Sequence, residues 1–398
     1  MKRFLEKAVK WLLTASGFVT SLVILLIIGF LFTEGAGLFR EKVIEEGYVL
    51  AVHKDNPVKE LTAAEIKAVF DEDITRWSEL GGPDMEIVTF RLEDADEYFT
   101  EEELGAQYEY AAGKIDSLIA ATPGMIAFIP ESMVEEGAQL NLIEDNAISP
   151  AEVLGGSEWF PTATPAPLFG MWPLLAGTLW VSFFAILFAL PFGISIAVYM
   201  AEVAPERVRN ILKPVIELLN GIPSVVYGFF GLIIIVPLLQ QVFGLPVGES
   251  GLAGSIVLAI MALPTIVTVA EDAMRNCPRA LREASLALGA SKWQTVSKVV
   301  IPSSMSGIAS GVVLGIGRAI GETMAVLMVT GNAAVIPHSI LEPLRTIPAT
   351  IAAELGEAPA GGAHYQSLFL LGVILFFITF FINLCVEYIS HRNKAKNS

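Results

Sequence analysis

The sequence predicts an α-helical membrane protein with six transmembrane helices and a small extracytoplasmic α/β domain inserted between helices 1 and 2. Three observations predict it. The 398-residue chain is 54% hydrophobic and only 17% charged, and it has several apolar stretches near or above the roughly 18 residues expected of a spanning helix. Its net charge of −17 is unevenly placed: residues 34–171 hold 29 acidic and 8 basic residues, a balance of −21, and the rest holds 13 acidic and 17 basic, a balance of +4. Basic residues also recur in alternate connections between the apolar runs, the positive-inside pattern of a multi-pass chain. The acidic segment would repel nucleic acid and anionic lipid, which excludes both as its expected partners.

Residues 1–33 form an N-terminal anchor: Lys2, Arg3, Lys7 and Lys10 precede an apolar run from Trp11 to Phe32. That run is longer than the core of a cleaved signal peptide, and Phe32-Thr33-Glu34-Gly35 is a poor cleavage site. Five further spans are expected at about Leu174–Met200, Val225–Val242, Leu252–Val269, Gly307–Val329 and Leu368–Tyr388, within a transmembrane domain of residues 172–392. Arg207, Arg209 and Lys213 follow the second span, Arg275, Arg279, Arg282, Lys292 and Lys298 the fourth, and Arg392, Lys394 and Lys396 the sixth. The bias puts both termini, with the tail 393–398, in the cytoplasm and residues 34–171 outside.

Inside the acidic segment, Tyr48–His53 is a strand, and Thr62-Ala63-Ala64-Glu65 is a capping box opening a helix through about Phe70. Glu86–Phe90 and Met125–Ile129 are two more strands, an α/β pattern. Residues 144–173, with five prolines, read as an extended linker back to the membrane. Only Cys277 and Cys385 are present and the four histidines are scattered, so neither a disulfide framework nor a metal site is expected.

Candidate functional residues sit where charge meets apolar sequence. In Leu314-Gly315-Ile316-Gly317-Arg318-Ala319-Ile320-Gly321-Glu322-Thr323-Met324, Arg318 and Glu322 lie four apart, and on a continuous helix they would share one face. A charge at bilayer depth costs about 2.5–3.5 kcal/mol, so such a pair either lines a solute path or joins two helices as an ion pair. Gly307, Gly311 and Gly315 form one small-residue row and Gly317 and Gly321 another, as close helix packing requires. Glu217, Asn220 and Ser224 flank Pro223, which either breaks the third span to present polar groups to a solute or sits in a loop before the span proper.

Between the fourth and fifth spans lies Arg282-Glu283-Ala284-Ser285-Leu286-Ala287-Leu288-Gly289, then nine residues, then Val299-Val300-Ile301-Pro302: a short helix, a terminating glycine, and an amphipathic stretch stopped by proline. This resembles the EAA loop of ABC importer permeases, the coupling helix that docks on the ATPase subunit, here at about residues 275–302. Glu283, Ala284, Gly289 and Pro302 stand where that family has Glu, Ala, Gly and Pro; Ser285 replaces its second Ala, and Val299 and Ile301 replace an Ile and a Leu. The stretches Gly221-Ile222-Pro223-Ser224-Val225-Val226-Tyr227-Gly228-Phe229-Phe230-Gly231-Leu232 and Gly317–Val326 closely resemble the C-type permease subunit of the high-affinity phosphate (Pst) importer. The resemblance implies the importer-permease fold in the bacterial cytoplasmic (inner) membrane and a phosphate path through Arg318 and Glu322. It implies as partners a second Pst-type permease, an ATP-binding cassette ATPase dimer, a periplasmic phosphate-binding protein and the lipid bilayer. The chain has no Gly-x-x-x-x-Gly-Lys-Ser/Thr stretch, so no catalytic site or cofactor of its own is expected and ATP would be bound by the partner ATPase.

The insertion resembles part of a periplasmic phosphate-binding protein at Val52–Val58, Leu61-Thr62, Ile74–Pro83, Ile87–Arg91 and Ala121–Phe128. Where that family places a Ser-Gly-Thr anion loop after the arginine, Leu92-Glu93-Asp94-Ala95-Asp96-Glu97 follows Arg91 here, and its carboxylates would repel phosphate. A degenerate lobe that docks or gates and an insertion that merely folds both remain open. Rival functions are a membrane receptor that senses through the outer lobe and an importer of a different oxyanion.

Overall fold

The computed structural model describes residues 2–105, 108–134 and 140–396; Met1 and the last two residues of the expected tail lie outside them. By contacts the chain divides into two units, Met1–Gly35 with Trp172–Ala358 and Leu368–Ser398, and Ala36–Met171 with Pro359–Ser367. Helix α1 (Lys2–Gly37) carries the N-terminal apolar run without a break.

The second unit is built on strand β1 (Tyr48–His53), helix α2 (Ala63–Phe70), β2 (Val88–Arg91), three short helices, α3 (Ala95–Tyr98), α4 (Glu101–Leu104) and α5 (Ala111–Ala121), and strands β3 (Met125–Pro130) and β4 (Leu140–Leu142). The sheet order is β2-β3-β1-β4, with β2 and β3 parallel and the other pairs antiparallel. The expected capping box is formed: Thr62 Oγ1 accepts the Glu65 N–H and Glu65 Oε2 accepts the Thr62 N–H, which satisfies two of the donors that a helix start leaves open. Ile115 and Ile119 of α5 pack on Phe90, Met125, Ala127 and Ile129 to make the core on one sheet face. Trp77 is fully buried and its indole N–H donates to the Gly124 carbonyl at 2.8 Å. Gly124 itself admits no side chain, because a Cβ there would collide with the Glu86 carbonyl.

Residues 144–173 are folded and are not the extended linker expected. Helix α6 (Pro150–Gly155) and a hairpin of β5 (Trp159–Phe160) and β6 (Leu168–Phe169) occupy them. The prolines fit this structure: Pro150 stands in the first turn of α6, where a missing N–H costs nothing, and the Ser149 hydroxyl accepts the Ala151 N–H. Buried Ile148, Val153, Trp159, Phe169 and Met171 supply the anchoring apolar area, with Trp159 edge-on to Phe169.

The membrane unit continues with α7 (Trp172–Val198), α8 (Glu206–Asn220), α9 (Ser224–Phe230), α10 (Val236–Phe243), α11 (Gly251–Arg275), α12 (Arg279–Ala287), α13 (Lys292–Thr295), α14 (Ile301–Gly321), α15 (Met324–Val329), α16 (Ile347–Glu354) and α17 (Ala363–Lys396). Among the described residues six helices are long and apolar enough to cross a membrane: Val9–Arg40, Trp172–Val203, Ser224–Phe243, Gly251–Arg275, Lys292–Gly321 and Ala363–Cys385. Helix α11 is the central element, packing mainly against α7 and α14. On α1, Phe30 meets Phe369 edge-on and Phe32 meets Phe377, both on α17. The first glycine row explains the close approach of α14 to α11. A methyl at Gly307 would collide with Ala273, and one at Gly311 or Gly315 would press on Val269 or Ile266; one at Gly317 or Gly321 would meet nothing within 4 Å.

The fifth span differs from the expected Gly307–Val329 at both ends. Pro302 does not stop the preceding stretch. A wide π turn over Val296–Val300 takes up the hydrogen-bond mismatch that a proline creates, and the helix runs on through it. At the other end α14 stops at Gly321, Glu322 is extended at φ −74°, ψ 131°, and only the short α15 follows.

Candidate functional site

Arg318 lies in the last turn of α14 and is half-buried. The break after Gly321 puts Glu322 off the helix, so the two do not share a helical face, and no ion pair joins them. Arg318 Nη1 instead donates to Asn220 Oδ1 at 2.9 Å, across 98 positions of sequence, and the Thr265 hydroxyl donates to the same oxygen at 3.2 Å. A guanidinium can only donate, so Asn220 must turn its oxygen toward Arg318. Three elements thereby converge: the end of α8, the middle of α11 beside Pro264, and the end of α14.

Helix α8 ends at Asn220, and Gly221-Ile222-Pro223 connects it to α9. Pro223 has the extended φ, ψ that a residue before a helix start requires, so a loop does separate α8 from the span. The Tyr227 hydroxyl donates to the Leu219 carbonyl at 2.8 Å and fixes the turn that presents Asn220. Ser224 begins α9, and Glu217 lies exposed one turn before Asn220; no hydrogen bond or ion pair brings either to Arg318. Thr265 escaped sequence reasoning. Its one local signal is the Pro-Thr pair inside an apolar span, since a proline at helix depth leaves a backbone carbonyl unpaired.

The loop between α11 and α14 has an outer and an inner face. Glu283, Ala284, Leu281, Leu286 and Leu288 of α12 and its C-terminal turn are exposed, as is Trp293 of α13. Gly289 holds φ +82°, the left-handed geometry that closes a helix and that favours glycine. Arg282 points inward, pairing with Glu202 Oε1 at 2.9 Å and donating to the Met274 carbonyl at 2.7 Å. The Ser285 hydroxyl meets the Thr295 hydroxyl at 2.9 Å, tying α12 to α13. Pro302 stands at the start of α14, outside this exposed face.

A second polar cluster joins α8 to the end of α11. Glu271 is fully buried; Arg209 Nε donates to its Oε1 at 3.0 Å and Lys213 Nζ to its Oε2 at 2.9 Å, while Arg275 lies 3.7 Å away. Lys213 also donates to Asp272 at 2.8 Å. Burial pulls the Lys213 ammonium toward neutrality, but its hydrogen bonds to Asp272 and Glu271 and their charges prevail and raise its pKa. The folded form therefore gains stability that is complete below the ordinary lysine pKa and fades only as pH rises through the higher folded value.

In the second unit, Arg91 stacks on the Phe70 ring at 5.2 Å and reaches the Thr164 carbonyl at 3.5 Å, and the following Leu92–Asp94 form a helical turn.

Comparison with known proteins follows the same division. The family described as binding-protein-dependent transport system inner membrane component matches residues 189–395, and the PBP superfamily domain matches residues 30–157. The chain is 40% identical over 278 residues to the probable ABC transporter permease protein YqgH of Bacillus subtilis, covering 70% of this chain and 88% of that one. It is 38% identical over 262 residues to the phosphate transport system permease protein PstC of Mesorhizobium japonicum, covering 61% and 79%, and 40% identical over 224 residues to PstC of Pasteurella multocida, covering 52% and 69%. The chain belongs to the family of binding-protein-dependent transport system inner membrane components and is a multi-pass ABC transporter permease.

Proposed function

We propose that this permease passes inorganic phosphate inward across the bacterial cytoplasmic membrane by alternating access, with Arg318 as the anion-contacting residue. The observation that carries the reading is Arg318 itself. It is a half-buried guanidinium at a helix break, oriented by Asn220 through a single donor. A guanidinium has five donors in a planar fork, so the Asn220 contact leaves the geometry that suits a phosphate oxygen pair. Asn220 offers an acceptor of no net charge, which orients the arginine without neutralising it. An anion is then bound firmly enough to enter and weakly enough to leave. Glu322, in the break beside Arg318, adds a negative charge that hastens release; Glu217 and Ser224 form the approach on the α8–α9 side.

In this reading ATP is hydrolysed by a separate ATPase dimer docked on α12, a second permease completes the channel, and a periplasmic phosphate-binding protein delivers the substrate. Both termini and α12 face the cytoplasm, consistent with the basic residues around them. The 34–171 lobe is extracytoplasmic, and with Arg91 engaged by Phe70 it serves as a docking or gating domain that no longer binds an anion. The test is ATP-dependent uptake of radiolabelled phosphate into proteoliposomes holding the complete set of subunits. Uptake blocked by unlabelled phosphate and not by sulfate or a phosphonate is the expected result; the reverse order of competition would replace the substrate.

Docking on α12 has its own test. Leu288 is 88% exposed, and burying a leucine against a partner contributes about 1.5–3 kcal/mol. Leu288→Asp is therefore expected to weaken ATPase capture by the permease about 10- to 100-fold in a pull-down titration. Unchanged capture would move the docking surface elsewhere.

A further inference from the structure

Glu271 is the most deeply buried charge in the membrane unit's polar clusters, and the solute path proposed above does not use it. A carboxylate removed from water is unfavourable unless paired, and this one gathers two cations from α8 at hydrogen-bonding distance and a third from its own helix. The position of α8 connects two places that matter. Its first half is held to α11 by Arg209 and Lys213, and its last residue is Asn220, the partner of Arg318. At 15 residues, helical throughout and through Pro214, α8 is about 22 Å long and spans the distance between the two. The α12 loop hangs on the same end of α11, where Arg282 binds the Met274 carbonyl less than a turn beyond Glu271. Leu212 and Ile216 pack on the apolar cluster that holds Val267, Ala270 and Met274; such packing is non-directional, and the ion pairs to Glu271 add directional contacts between α8 and α11.

Resting on the permease reading above, we propose that Glu271 is a positioning residue that makes α8 move with the α12 loop, so that displacement of the loop reaches the Asn220–Arg318 contact. Coupling of this kind is established only by breaking one link without touching either end. The decisive experiment uses the complete importer in proteoliposomes, with spin labels replacing exposed Arg207 on α8 and exposed Arg279 at the start of α12 in a Cys385→Ser background. In the otherwise unaltered protein the label separation stays constant when ATP binds. In Glu271→Gln it changes on ATP binding, phosphate uptake falls about tenfold, and ATP hydrolysis per assembled complex persists. Glu271→Asp partly restores both the fixed separation and the uptake. If Glu271→Gln fails to assemble, the Arg209→Gln, Lys213→Gln pair breaks the same link from the partly exposed side and is read in the same way.

A constant label separation in Glu271→Gln, or hydrolysis and uptake that fall together with the amount of assembled complex, would overturn the proposal. The label measurement does not depend on the solute. Absence of phosphate uptake by the unaltered importer would sink the substrate reading and leave Glu271 to be decided by the labels.

Discussion

Replacing Arg318 with glutamine is expected to lower ATP-driven phosphate uptake about 100-fold. Two charge-assisted hydrogen bonds from one guanidinium to a phosphate contribute about 3 kcal/mol together, and each 1.4 kcal/mol is tenfold in rate. Glutamine is polar and uncharged but ends two bonds short of the Nη1 that meets Asn220 Oδ1; that oxygen keeps the Thr265 hydroxyl as a donor, so assembly and ATPase binding should survive. Arg318→Lys keeps the charge and loses the planar fork, and its uptake should fall between the two. Because Asn220 orients the guanidinium, Asn220→Ala should weaken uptake by less than Arg318→Gln, and the two changes together should cost less than their sum. Normal uptake by both Arg318 variants would reduce this residue to a structural charge.

The second large effect falls on the outer lobe. Trp77 is fully buried, and truncating it to alanine removes about 3–5 kcal/mol of packing and leaves the Gly124 carbonyl without its 2.8 Å donor. That is comparable with the whole stability of a domain of this size, about 5–15 kcal/mol. Limited proteolysis of the full-length Trp77→Ala protein should cleave within residues 36–171 while the membrane unit stays intact. Trp77→Phe, which keeps most of the volume and loses only the indole donor, should resist cleavage. Equal resistance in Trp77→Ala would show that the lobe does not depend on this core. Uptake by the same variant then separates the two readings of the lobe: loss assigns it to docking or gating, and retention leaves it a folded insertion.

Much of this protein was legible locally. The helix opened by Thr62 and Glu65 and the strands Tyr48–His53 and Met125–Pro130 follow from capping chemistry and apolar runs a few residues long. The short helix and left-handed Gly289 of the α12 loop, likewise, require nothing beyond their own sequence. The prolines between residues 144 and 173 misled because proline is equally at home in a linker, in a first helical turn and in a hairpin loop. Only burial of Trp159 and Phe169 distinguishes them.

The candidate site was legible in part. Arg318 and Asn220 each stood out as polar residues beside apolar sequence, but the helical spacing of Arg318 and Glu322 suggested the wrong partner. Glu271 and Asp272 adjoin each other just past the expected end of the fourth span at Val269, and nothing in the local sequence separates them, yet Glu271 is enclosed and Asp272 half exposed.

What the sequence by itself determined is the number of apolar helices, the acidic insertion with its main strands, and the motif that brings the chain into its family, because each depends on periodicity and composition over one segment. What only the tertiary structure decided is where α14 breaks, which side chain Arg318 meets, and which charges at the end of α11 are buried. Those outcomes are set by contacts between residues up to 98 positions apart, where hydrogen-bond geometry and desolvation depend on how helices pack and on nothing either segment contains alone.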